Sequence, residues 1–216
     1  QNIILLYKTK ILENLGIHCN LNGYYYKELE RDINILKSCD NNLLDRLIML
    51  EYLISNKILK CIDQHEKYKY YCENIKKVNI INNLRYSNKV INYCNDIMEY
   101  MIKDIEKIDN IVIKRYLNNI GYEKLNKVFK LKLIYNVFLD NKNKAEIFRQ
   151  CIIKLNEIEN RKECYKISDL DINGKILKDL GYKGKEIGEK LNFLLDEVIK
   201  NPLLNKKDIL INLLKL

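Results

Sequence analysis

The 216-residue chain has no tryptophan, one proline (Pro202), one alanine (Ala145), two histidines and only seven glycines. Each shortage excludes something. Sparse glycine and proline leave too few turn residues for the hairpins of a β-rich fold, and long mixtures of apolar and charged residues between the few breakers favour helix nearly throughout. The seven cysteines, at 19, 39, 61, 72, 94, 151 and 164, are odd in number, well separated and without a CxxC pair. That pattern excludes a disulfide framework and a zinc site, and reads as reduced buried thiols in a cytoplasmic protein. No apolar run approaches the roughly 20 residues needed to span a bilayer, and no signal-peptide pattern opens the chain, so no membrane partner is expected. The first residue is Gln1 rather than methionine, which suggests a processed product, an excised domain or a truncated reading frame.

What is present is a 47% apolar content, enough for a real core, and a formal net charge of +9. A positive excess of this size fits a polyanion such as nucleic acid. Ile, Lys and Asn are abundant and Tyr is frequent, as coding in an AT-rich genome would produce, and that bias accounts for part of the lysine count.

Apolar spacing and breakers predict helices at 3–15, closed by Gly16, and at 26–38, with a loop over 19–25 between them. Asp40-Asn41-Asn42 opens a third helix carrying Leu43, Leu44, Leu47, Ile48, Leu50 and Leu53. The tyrosine-rich stretch 63–71 reads as a connection, with helix resuming near Glu73. Ser87 is placed as N-cap of a long helix over 88–107, followed by helices at 111–119 (ending at Gly121), 123–139 and 143–162. The tail contributes three more, separated by Gly181 and by Asn201-Pro202. Asn173 caps the first, and Asn205 with Asp208 forms a capping box for the last.

Four of the seven glycines fall in one stretch, Ser168-Asp169-Leu170-Asp171-Ile172-Asn173-Gly174-Lys175-Ile176-Leu177-Lys178-Asp179-Leu180-Gly181, followed by Lys183-Gly184-Lys185-Glu186-Ile187-Gly188. Gly184 and Gly188 bracket the first turn of a helix with Lys183 and Lys185 beside them. A helix N-terminus offers unpaired N–H groups and partial positive charge, and glycine lets a phosphate approach the backbone. Close helix packing at Gly188, with the lysines as solvated surface, explains the same spacing equally well. Asp169 and Asp171 have the i, i+2 spacing of a metal-holding carboxylate pair, but they precede a helix instead of lying on a strand, so they read as an acidic flank and no metal site is assigned.

This stretch resembles the tail of bacterial CCA-adding enzymes, the tRNA nucleotidyltransferases of the poly(A) polymerase superfamily. Two further segments match their body region: Leu84-Arg85-Tyr86-Ser87-Asn88-Lys89, and Ile111-Val112-Ile113-Lys114-Arg115-Tyr116-Leu117-Asn118-Asn119-Ile120-Gly121. The match runs well from about Leu84 to the C-terminus and weakly over 7–57. It implies an all-α fold divided into a degenerate HD-like part of the body (1–83), RNA-binding-type body helices (84–162) and a compact helical tail (163–216). It also implies tRNA as partner, held by acceptor stem and T-arm through Arg85, Lys114, Arg115, Asn173, Gly174, Lys175, Lys183, Gly184, Lys185 and Gly188. Each basic residue has a purely structural alternative as an exposed or packed side chain.

The family's glycine-pair motif for the incoming triphosphate has no counterpart, since no two glycines are adjacent. The positions expected to carry a His-Asp metal pair hold Tyr52 and Leu53. The expectation is therefore a grip without its own catalytic residues. It would need no cofactor itself, Mg, CTP and ATP belonging to a catalytic head that is upstream or on a separate polypeptide. Two rivals are an all-α interaction module with no RNA role and, more distantly, a remnant HD-type phosphohydrolase.

Overall fold

A computed structural model describes residues 26–39, 42–64 and 80–214. The expected helix at 3–15, the loop at 19–25, the helical restart near Glu73, and His18, Cys19 and His65 lie outside the described residues. Among those described, the chain is all-α: ten α-helices, two 3-10 turns and no strand.

In chain order the helices are α1 (Tyr26–Ser38), α2 (Leu43–Gln64), α3 (Ile80–Asn83), α4 (Asn88–Ile102), α5 (Asn110–Ile120), α6 (Tyr122–Phe138), α7 (Lys142–Asn160), α8 (Gly174–Asp179), α9 (Lys185–Lys200) and α10 (Lys207–Leu213). The 3-10 turns are Ile167–Asp169 and Pro202–Leu204. The helix expected over 88–107 stops at Ile102. The Lys103 carbonyl accepts instead from the Lys132 ammonium, and Asp104 turns its carboxylate to the Lys144 side chain and the Ile105 N–H. The chain then re-enters helix at Asp109, whose Oδ1 accepts from Ile111 N at 2.8 Å as a side-chain cap. Ser87 sits at the N-cap of α4 as expected, yet its side chain makes no capping bond there. Its carbonyl takes the Val90 and Ile91 N–H groups.

The chain packs as two compact units, each assembled from separated segments. Of the described residues, one unit takes those up to 106 together with 127–149, and the other takes 107–126 and those from 150 on. These units follow packing, whereas the three-part division by sequence follows segments along the chain; one boundary falls between α4 and α5 and the other two inside α6 and α7.

The first unit buries Ile35 and Leu36 of α1, Ile48, Met49, Tyr52 and Leu53 of α2, and Cys94, Ile97, Tyr100 and Met101 of α4, with Phe129 and Phe148. Tyr52 meets Tyr135 edge to face with ring centroids 5.1 Å apart, a favoured arrangement of ring quadrupoles. A buried Asp45 carboxylate accepts from Lys127 at 2.7 Å, so its charge does not stand alone in the core.

The second unit is organised by α9. Leu191, Leu194, Leu195, Val198 and Ile199 recur at helical spacing along one buried face. They pack with Leu170, Ile172, Leu177, Leu210 and Leu214. Burying each such side chain contributes about 1.5–3 kcal/mol before the entropy of ordering it is subtracted.

Candidate nucleic-acid interface

The geometry of the glycine-rich tail begins with Asn173. Its Oδ1 accepts from Lys175 N at 3.0 Å and Ile176 N at 3.2 Å, so α8 is capped by its own side chain. α8 ends as the residue count from Gly181 requires. Gly181 adopts φ +99°, and Tyr182 N donates to Leu177 O at 3.1 Å while Gly181 N donates to Lys178 O at 3.0 Å. This closing pattern needs a left-handed residue, which glycine provides at no steric cost.

Gly184 then stands at the N-cap of α9 with φ +55° and ψ −126°, a conformation essentially reserved for glycine. Having no side chain, it leaves the first turn of α9 without the cap that Asn173 gives α8. Gly174 and Gly188 differ from it and from each other. A Cβ added to Gly174 would meet Ile187 Cγ2 at 3.4 Å, so this glycine lets the start of α8 seat against the first turn of α9. A Cβ added to Gly188 would meet nothing within 4 Å. Gly188 is exposed inside a helix and has no left-handed φ, so close packing does not account for it.

The lysines divide clearly. Lys183, Lys185 and Lys175 are exposed; the Lys185 side chain is 93% accessible and lies 3.5 Å from Glu189, a surface pair one turn along α9. Arg115, on α5, is half-exposed and donates from Nη2 to Asp196 on α9 at 3.1 Å. Lys114 differs from all of these. Its side chain is 2% exposed and its ammonium lies 2.8 Å from Glu163, so it is a core ion pair and not the surface phosphate contact that its place beside Arg115 suggested. Successive residues on a helix point about 100° apart, which puts one member of the basic pair inside and the other outside.

Asn173, Gly174, Lys175, Lys183, Gly184, Lys185, Gly188 and Arg115 all belong to the second unit, where Arg115 meets α9 at Asp196 and Gly174 faces Ile187 in its first turn. Arg85 belongs to the other unit, exposed in the turn after α3 with φ +54°. That is a left-handed conformation costly to a side-chain-bearing residue.

The acidic pair is occupied. Asp169 Oδ2 accepts from Tyr165 N at 3.2 Å and Lys166 N at 2.9 Å, and Asp171 Oδ2 accepts from Lys207 N at 2.9 Å. Asn205 completes this tie, accepting from Asp171 N at 2.9 Å and donating to Asp169 O at 3.0 Å. The capping box expected from Asn205 and Asp208 is therefore not what forms. Lys206 holds the N-cap of α10 without a side-chain bond, and Asn205 is spent on joining the two ends of the tail.

Against known families, residues 70–214 match the model described as tRNA nucleotidyltransferase domain 2. The chain belongs to this family. No curated protein and no solved structure matches it. The span matched by the tRNA nucleotidyltransferase domain 2 model includes the whole glycine-rich tail and the Lys114-Arg115 helix, and begins after the segment that holds Tyr52 and Leu53. Those two side chains are buried core residues, Tyr52 through its ring contact with Tyr135. Among the described residues no group of three or more His, Cys, Asp or Glu is placed to hold a metal ion.

Burial pushes the Cys94 and Cys164 thiols up to about 11, so both stay protonated and weakly nucleophilic near neutral pH. No helix among the described residues is long and apolar enough to cross a membrane. The Asp196, Glu163 and Asn205 partnerships went unseen in the sequence because their partners lie 81, 49 and 34 or more residues away, beyond any local spacing rule.

Proposed function

We propose that this chain is the tRNA-holding portion of a CCA-adding tRNA nucleotidyltransferase, gripping the acceptor stem and T-arm while the 3′ end is extended at a catalytic head outside these residues. The observation that carries the reading is Gly188. A glycine inside an exposed helix costs about 1 kcal/mol relative to alanine, and no neighbour requires it here. A bare backbone at that position lets an RNA strand lie close against the first turn of α9, which has no side-chain cap and whose partial positive charge attracts phosphate.

Lys183 and Lys185 supply mobile cations on either side of Gly184, Lys175 stands at the neighbouring helix start, and Arg115 adds a planar donor within the same unit. Arg85, which belongs to the other unit, is proposed as an RNA contact in its own right. A grip built from backbone N–H groups and flexible lysines reads phosphate positions and the shape of A-form RNA, with little base readout. The absence of adjacent glycines and the commitment of Asp169 and Asp171 to backbone N–H groups support placing nucleotidyl transfer, with its Mg, CTP and ATP, in a separate head. Cytoplasmic work on tRNA suits the buried, reduced cysteines.

Replacing Lys183 and Lys185 together by alanine tests the grip. Affinity for tRNA should fall, and the slope of log affinity against log salt should flatten by roughly one to two. An unchanged slope would remove these residues from the interface.

A further inference from the structure

The pair of Arg115 on α5 with Asp196 on α9 does little to hold its two helices together. Both residues belong to the second unit, 81 residues apart in sequence. Ile111 of α5 already packs against the cluster that Leu191, Leu194 and Leu195 of α9 help to build. A half-exposed ion pair adds little to such an apolar contact. Its geometry, however, is directional. Arg115 donates from Nε at 3.3 Å and from Nη2 at 3.1 Å, and both bonds fall on one oxygen, Asp196 Oδ1. A planar guanidinium held along that edge has its direction fixed, and its Nη1 end has no protein partner among the described residues.

The place of Asp196 on α9 gives that free end a use. Gly188, Asn192 and Asp196 follow one another at four-residue steps, and all three are exposed. Such a row turns about 40° per step and covers about 12 Å along the helix. Asn192 lies along it, donating from Nδ2 to the Gly188 carbonyl at 2.9 Å. The bare backbone of Gly188 therefore stands at one end of the row and the Arg115 guanidinium at the other. The other carboxylates of α9 are answered or turned away: Glu189 faces Lys185 at 3.5 Å and Glu197 faces Lys200 at 2.6 Å, while Glu186 lies about 200° round the helix from Gly188.

We propose that Asp196 is a positioning residue, holding Arg115 so that the Nη1 end of its guanidinium meets a backbone phosphate of the RNA strand that lies along α9. That phosphate is a different one from the phosphate drawn to the helix start near Gly188. The inference rests on the tRNA-holding role proposed above and adds to it a carboxylate inside an anion-binding face, where its charge alone would be unfavourable. Its contribution is to order Arg115 before the strand arrives, so that less side-chain freedom is lost on binding.

The sign of one substitution isolates this role. Asp196→Ala removes a negative charge, so electrostatics alone would tighten binding of tRNA to the full chain. Loss of positioning should instead weaken it about three- to fivefold, with the salt slope unchanged because Arg115 keeps its charge. Arg115→Ala should weaken binding about tenfold and flatten the slope by about one. The double variant should bind no more weakly than Arg115→Ala alone, since Asp196 acts only through Arg115. Thermal unfolding of all three should stay close to that of the unaltered chain, as suits an exposed pair. Asp196→Ala that binds as tightly as the unaltered chain or more tightly, weakens the Arg115→Ala chain further, or lowers thermal stability markedly would overturn the proposal. If Lys183→Ala with Lys185→Ala still weakens binding in that case, the tRNA-holding role stands and only the positioning role falls; no binding of tRNA by the unaltered chain removes both.

Discussion

Single residues in this chain carry charge into places where it must be answered. Lys114 is the plainest case, since its ammonium is inside the core and is answered by Glu163 at 2.8 Å. Lys114→Ala removes the close partner of Glu163, leaving it only the longer contact with Arg161 at 4.0 Å, and should cost about 3 kcal/mol in chemical denaturation, whereas Arg115→Ala, at a half-exposed pair with Asp196, should cost less than about 1 kcal/mol. Comparable losses would contradict the inside-outside division of the pair. Glu51 is a second case. Its buried carboxyl is raised to about 7, chiefly by desolvation, against the opposing bonds from the Ile80 and Ile81 N–H groups, and Ile81 N lies 3.3 Å from its Oε2. The folded chain therefore binds this proton more tightly than the unfolded chain does. Stability from this group is fully present below about pH 4.5 and is lost as pH rises through about 7. Glu51→Gln should accordingly raise stability at pH 8 by about 2 kcal/mol and leave it nearly unchanged at pH 4; a variant destabilised at pH 8 would show that the charged form is the preferred one.

At the scale of the helix, α9 combines two opposed demands. Its buried face follows an ordinary i, i+3, i+4, i+7 pattern that drives packing, while its exposed first turn contains a glycine that weakens it. Gly188→Ala separates the two: thermal stability should rise by about 0.5–1 kcal/mol while tRNA affinity falls. A variant that is more stable and binds equally well would return Gly188 to mere sequence drift. The helices themselves were legible in the sequence wherever local signals set their limits. Asn173 caps α8, Gly181 closes it, and Asn201 ends α9, all as the spacing indicated. Legibility failed where distant groups competed for the same atoms. α4 ends five residues early because Lys132 and Lys144, some 29 and 40 residues on, take the Lys103 carbonyl and the Asp104 carboxylate. Likewise Asn205 bonds across the tail in place of capping its own helix. Glycine scarcity adds to this: the left-handed positions after α3, α6 and α7 are filled by Arg85, Asp140 and Lys162, which carry no punctuation a reader of the sequence would recognise.

For the molecule as a whole, the family is that of tRNA nucleotidyltransferase domain 2 and the described residues are all helical; the proposed tRNA-holding role starts from these two facts. The candidate site was legible as a glycine-lysine spacing, but spacing alone left packing and phosphate contact equally open. The empty space around Gly188, the occupied carboxylates of Asp169 and Asp171, and the burial of Lys114 are structural facts that spacing does not carry, and the proposed grip is argued from them. Supplied with CTP, ATP and Mg, the chain by itself should add nothing to a tRNA lacking its CCA end, and metal-dependent incorporation would place a transfer site within these residues. The most direct measurement is fluorescence anisotropy of labelled tRNA titrated with the purified chain across a salt series, beside single-stranded RNA of equal length. The account requires tRNA to bind more tightly than the single strand, with affinity that falls steeply as salt rises. Equal affinity for both RNAs, or no binding at low salt, would contradict it.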